Sequence, residues 1–190
     1  MGMPPVTLGL VAANALFFFL ASTGGLDAMF ALWPLGAGFM PWQLVTYGFL
    51  HASLTHLLFN MLGLYSFGSG LERVWGPRRF LAYYFTCMVT AAVTQLVFAR
   101  VTGSFYPTVG ASGGVFGLLL AYAMLFPHRT VMLLIPPIPM KAPVFAVVYG
   151  AIELFLGVTG TQEGVAHFAH LGGMLGGFVL LSTWRRGRRS

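Results

Sequence analysis

Apolar residues fall in six long runs, separated by stretches where glycine, proline and charge collect. The runs cover residues 6–22, 49–71, 80–98, 112–126, 144–158 and 165–184. Windows within them reach the roughly 20 apolar residues that cross a ~30 Å hydrocarbon core. The pattern predicts an all-α integral membrane protein, a six-transmembrane-helix bundle forming a single domain over residues 1–190. The long connection 23–46 is rich in glycine and proline and also holds Trp33, Phe39, Met40 and Trp42. A link of this length is usually functional or partly ordered, and its aromatic residues place it in the headgroup layer. A proline-rich stretch, Pro136 to Pro143, follows a short segment, Met132–Ile135, also placed at the interface.

Composition sharpens this picture. A soluble surface takes about 25% charged residues, and a chain that is 57% hydrophobic and 7% charged cannot supply one. The net charge of +6 raises nucleic acid as a partner, but the basic residues are grouped for orientation. With both termini in the cytoplasm, Arg73, Arg78, Arg79, Arg129, Lys141 and the tail arginines all lie inside, and only Arg100 of the ten basic residues falls outside. That is the bias of the positive-inside rule. No basic and aromatic interleaving marks a nucleic-acid surface, so none is expected. The single cysteine, Cys87, lies in an apolar run; it excludes an intrachain disulfide and suits a buried, inert thiol. The first run lacks a basic leader, and the others need it for an even number of spans, so it reads as a span and not as a signal peptide.

Polar side chains at membrane depth are costly and mark function by default. Here they are His51, His56, Asn60, Ser112, Glu153, His167 and His170. Counted at ~1.5 Å per residue from the cytoplasmic ends, Ser112 stands roughly 22 Å up, His170 roughly 21 Å, His56 roughly 24 Å and Asn60 roughly 18 Å. In a ~30 Å core these four share one layer, about 6–12 Å below the outer surface. They predict one polar site sunk beneath the outer face. His51 and His167 fall near the outer ends of their helices and read as structural. Glu153 falls nearer the middle of its span, can pair with a neighbouring helix, and is given no catalytic role.

The site's chemistry follows from residue type. Gly113/Gly117, Gly172/Gly176 and Gly173/Gly177 are each four apart, a spacing that lets membrane helices approach closely. His170 shares a face with Gly173 and Gly177, so the fourth and sixth helices can bring it to Ser112. A serine hydroxyl becomes nucleophilic when a neutral imidazole takes its proton. With no carboxylate placed as a third member, a Ser112–His170 dyad is expected. An oxyanion needs preorganised donors; the Ser112 amide at a helix N-terminus, His56 and Asn60 can supply them. Gly110 and Gly113 let a carbonyl come close to the backbone, and Phe116, one turn on, forms a wall beside His170.

Three ordered motifs carry a family resemblance: His56-Leu57-Leu58-Phe59-Asn60, Gly110-Ala111-Ser112-Gly113, and Ala169-His170-Leu171-Gly172-Gly173 with Gly177. Over residues 40–184 the chain resembles the rhomboid intramembrane serine proteases of prokaryotic type. The resemblance implies Ser112 as nucleophile and His170 as general base. It implies His56, Asn60 and the Ser112 amide as the oxyanion hole, with Phe116 stacked on the histidine and no cofactor or metal. The implied partners are the lipid bilayer and single-span transmembrane protein substrates, cut near the outer leaflet after small residues and admitted between the second and fifth helices. The short termini favour a bacterial inner membrane as its home. Thr159–Gly164 looks like a mobile cap over such a site. Trp42-Gln43 departs from the Trp-Arg pair of many members, and the lost charge removes a contact that orders the first loop. The alternative is a catalytically inactive rhomboid-like protein that binds membrane clients. A proton channel, and a metal or haem site using His51, His56, His167 and His170, are weaker rivals, because those spacings fit no strong ligand motif. No residue pattern specifies an oligomer.

Overall fold

Capping residues and glycines set several of the helix ends. The computed structural model describes residues 2, 4–21, 24–134, 137–160 and 166–186. Helix α1 spans Pro5–Ala21, and two short helices, α2 (Leu26–Phe30) and α3 (Gln43–Thr46), lie in the first connection, followed by a 3-10 turn at Tyr47–Phe49. Helix α4 runs Leu54–Gly63 and passes through one π turn, Leu64–Gly68, into α5, Ser69–Trp75. It starts later than the apolar run at 49 because Ser53 is extended (φ −156°) and its Oγ accepts from the His56 N–H at 3.1 Å, which makes it an N-cap. Helix α6, Pro77–Thr102, is longer than its apolar run. Pro77 suits the first helical position, arginine is a good helix former, and Gly103 at φ 71° ends the helix.

Helix α7 spans Ser112–Leu125, α8 spans Ala142–Thr159 and α9 spans His167–Arg186. Between α7 and α8 lies an antiparallel ribbon, β1 (Thr130–Leu134) and β2 (Pro137–Lys141), with Thr130 opposite Lys141 and Leu134 opposite Pro137. This corrects the all-α expectation. Prolines this dense cannot continue a helix. Pro137 and Pro139 are two apart, so their missing donors fall on the same side, which a two-stranded ribbon can turn outward. Thr159 ends α8 and Gly160 (φ 64°) terminates it. The rest of the expected cap, 161–164, lies outside the described residues, as do Ser22, Val165, Arg188 and Arg189 of the predicted runs and tail.

Helix α7 is the centre, packed against α6, α8, α9 and the π turn. A Cβ on Gly173 of α9 would overlap the Gly113 carbonyl of α7, while Cβ atoms on Gly172 and Gly176 would overlap Thr94 and Thr90 of α6. The glycines of α9 thus serve two neighbours, not one. Tyr83 Oη donates to the Gly117 carbonyl and Tyr47 Oη to the Met88 carbonyl, each at 2.9 Å. The outer faces stay apolar: Phe19 on α1, Val97 on α6, Val147 and Phe155 on α8, and Leu175 on α9 are all exposed. Helices α6 and α8 are long and apolar enough to cross a bilayer, and α1 and α7 are shorter apolar helices.

Two polar side chains tie the periphery. Buried Glu72 of α5 accepts from the Val6 N–H (2.9 Å), the Thr7 N–H (2.7 Å) and the Thr7 hydroxyl (2.7 Å), so it satisfies donors that the start of α1 leaves free. Gln43, also buried, holds the first connection. Its Oε1 accepts from the amides of Trp33 and Met40, both at 3.2 Å, and its Nε2 donates to the carbonyls of Met29 (3.2 Å) and Gly38 (3.4 Å). The expected loss of an ordering contact at this position is therefore corrected: a neutral amide donates and accepts at once and engages four backbone groups.

Candidate active site

Gly110 aims the serine. Its φ of 126° is open to glycine and strained for other residues. Its N–H donates to the Tyr47 carbonyl at 2.9 Å. A Cβ there would also lie 2.8 Å from Nε2 and Cε1 of His56, so the missing side chain is the space the imidazole occupies. Ser112 then opens α7, where the first amides have no intrahelical acceptor. The side chain is half-buried.

The close contact of α7 and α9 completes the pair. His170 Nε2 lies 2.7 Å from Ser112 Oγ. Phe116 stacks on the His170 ring with centroids 4.4 Å apart and planes 5° apart, which fixes the plane of the imidazole. Asn60 Nδ2 donates to the His56 carbonyl at 2.9 Å, and Asn60 Oδ1 has no partner among the described residues. Ser112, His170, His56, Asn60, Gly110, Gly113 and Phe116 all line one cavity of about 920 Å³. Its lining also takes in Phe59, Gly63 and Phe67, and Phe145 and Tyr149 of α8. The four side chains that shared a depth in sequence therefore do converge.

Glu153 lies closer to the pair than its place in the span suggests. Its Oε2 lies 2.7 Å from Nδ1 of His170 and 2.7 Å from Nδ1 of His167. Counting rise along one straight helix ignores side-chain reach and the axial offset of α8 against α9, and together these carry the carboxylate to the histidines. A usable signal was present: His167 and His170 are three apart, on one face, opposite the only carboxylate of the neighbouring run. His167 is thus joined to the same network, beyond the structural role its position suggested. These three side chains could together offer ligand atoms to a metal, within 4.8 Å of one another. His51 stands apart. Its ring meets His56 edge-on at 5.0 Å, and neither ring nitrogen has a partner among the described residues. Cys87 is fully buried.

Comparison with known proteins agrees with the three motifs. Residues 38–187 match the family described as Rhomboid domain. The chain is 31% identical over 185 residues to the rhomboid protease GluP of Bacillus subtilis, covering 93% of this chain and 34% of that protein. It is 34% identical over 162 residues to RHOMBOID-like protein 4 of Arabidopsis thaliana, covering 85% and 37%. It is 32% identical over 135 residues to presenilin-associated rhomboid-like protein A, mitochondrial, of Danio rerio, covering 70% and 35%. The matched stretch spans about a third of the length of each of these relatives.

Proposed function

The chain belongs to the rhomboid family, whose members are integral membrane proteins, and from that premise we propose that it is an intramembrane serine endopeptidase. The observation that carries the reading is the 2.7 Å approach of Ser112 Oγ to His170 Nε2 at the wall of a cavity that also holds His56 and Asn60. Ser112 Oγ attacks the scissile carbonyl carbon as its proton passes to His170 Nε2. The carbonyl oxygen becomes an oxyanion that accepts from the Ser112 amide and from the side chains of His56 and Asn60. Collapse breaks the C–N bond, the proton on Nε2 goes to the leaving amine, and the acyl group stays on Ser112. Water then gives a proton to the same Nε2 and attacks the acyl carbon, and as the acid product leaves, Nε2 returns the proton to Ser112 Oγ.

The substrate is a transmembrane segment of a membrane protein. It enters between α4 and α8, both of which contribute to the cavity lining, through Phe59 and Phe145. The protein spans the bilayer six times, through α1, α4 continued into α5, α6, α7, α8 and α9. Both termini face the cytoplasm and Ser112 lies beneath the outer surface. The basic residues near the inner ends support that orientation.

The test is incubation of the full chain, in liposomes, with a panel of single-span substrates and a fluorophosphonate. Ser112 labels and a substrate is cut at a defined bond. Ser112→Ala and His170→Ala each abolish both signals. A wild-type protein that is folded yet neither labels nor cuts would overturn the endopeptidase reading and favour the inactive alternative.

A further inference from the structure

Glu153 sits on α8 with only 8% of its surface exposed. A buried carboxylate is costly unless hydrogen bonds satisfy it, and two imidazoles do so through a single oxygen, Oε2. An ionised carboxylate can only accept, so both imidazoles carry a proton on Nδ1. For His170 the ionised carboxylate selects one tautomer. With the proton on Nδ1, the lone pair is on Nε2, the atom 2.7 Å from Ser112 Oγ. The Phe116 stack fixes the plane of that ring, yet stacking cannot distinguish the two tautomers or the two ring orientations within the plane. The carboxylate can do both.

A tie between α8 and α9 would need only His167. The bond from Glu153 to His170 adds control of the group that takes the serine's proton. We propose that Glu153 is a positioning residue that extends the Ser112–His170 pair to a serine–histidine–glutamate triad, with His167 as the second donor that keeps the carboxylate aimed. This rests on the endopeptidase reading. Glu153 acts through His170. It holds the imidazole in the accepting tautomer before attack, and it stabilises the imidazolium once the serine's proton has arrived on Nε2. No proton crosses to the carboxylate; the proton on Nε2 leaves with the amine.

Glu153→Gln keeps the shape of the side chain but turns one of its two oxygens into a donor, which favours the wrong His170 tautomer. The full chain is reconstituted with a single-span substrate, and kcat, KM, the rate of Ser112 labelling by fluorophosphonate and the imidazole N–H proton resonances are measured. Glu153→Gln lowers kcat by up to about 10⁴-fold, the loss seen when the orienting carboxylate of a serine protease triad becomes an amide, and leaves KM nearly unchanged. Labelling slows in parallel, and the downfield resonance of the proton shared by His170 and Glu153 disappears. His167→Ala keeps that resonance and loses less activity, and Glu153→Asp recovers part of the loss. A wild-type kcat and labelling rate in Glu153→Gln would overturn the proposal. So would a loss confined to KM or to the folded fraction with the resonance unmoved. The resonance needs no substrate. If the wild-type protein neither labels nor cuts, the endopeptidase reading fails by itself, and the presence or absence of the His170 signal still decides whether Glu153 holds that ring. The same signal in the wild-type protein, assigned with His167→Ala, decides the matter if Glu153→Gln does not fold.

Discussion

A single methyl group on Gly173 is expected to disable the site without touching any polar group in it. In Gly173→Ala the new Cβ would overlap the Gly113 carbonyl oxygen and sit 2.8 Å from its carbon. Ordinary contact between such atoms begins at about 3.5 Å, so α9 must move away from α7 by roughly 1 Å. His170 is three residues before Gly173 on α9, and Ser112 adjoins Gly113 on α7, so the separation falls on their 2.7 Å contact. At about 3.6 Å a hydrogen bond no longer exists. Misplacement of a reacting group by about 1 Å can cost about 10²-fold in rate, equivalent to about 2.7 kcal/mol of activation free energy. The assay is kcat/KM for a transmembrane substrate, with helicity and unfolding midpoint measured alongside. Gly150→Ala is the control. It also places a methyl on a membrane helix, but there the nearest atom is 3.7 Å away, and the rate should stay near that of the wild type. A fully active, folded Gly173→Ala protein would refute the view that direct backbone contact of α7 with α9 sets the geometry of the pair.

Other consequences are smaller or fall elsewhere. Asn60→Ala should raise the barrier by at most about 2.7–4 kcal/mol, the worth of one oxyanion donor, with kcat lowered and substrate affinity little changed; an equal loss through KM alone would count against that role. Glu72→Ala strands buried donors at the start of α1. Each costs about 1–3 kcal/mol and the costs within one cluster do not add, so a loss of about 2–4 kcal/mol in unfolding free energy is expected. The specific activity of the folded fraction should be unchanged, because Glu72 bonds Val6 and Thr7 and not the cavity.

The outcomes at Gln43 and Glu153 have a common cause. In sequence Gln43 lacks a charge and Glu153 lacks the depth of the other polar groups. The structure adds what surrounds them. Gln43 has backbone carbonyls and amides on both sides of its amide, and Glu153 has two imidazoles from the next helix within reach of one oxygen. Both outcomes depend on neighbours that are distant along the chain.

What the sequence determined was everything local in cause. Runs of apolar residues fix where helices can form. Glycine spacing fixes where two of them can touch. A constant rise per residue sets the heights of Ser112, His56, Asn60 and His170 along their helices, and all four line one cavity. The tertiary structure decided the remainder. It set which face of α9 meets α6 and which meets α7, paired the proline-rich stretch as a ribbon, and brought Glu153 to His170. Those outcomes depend on the relative rotation, tilt and axial offset of packed helices. Side chains from every neighbour fix these jointly, and no single segment's pattern carries them.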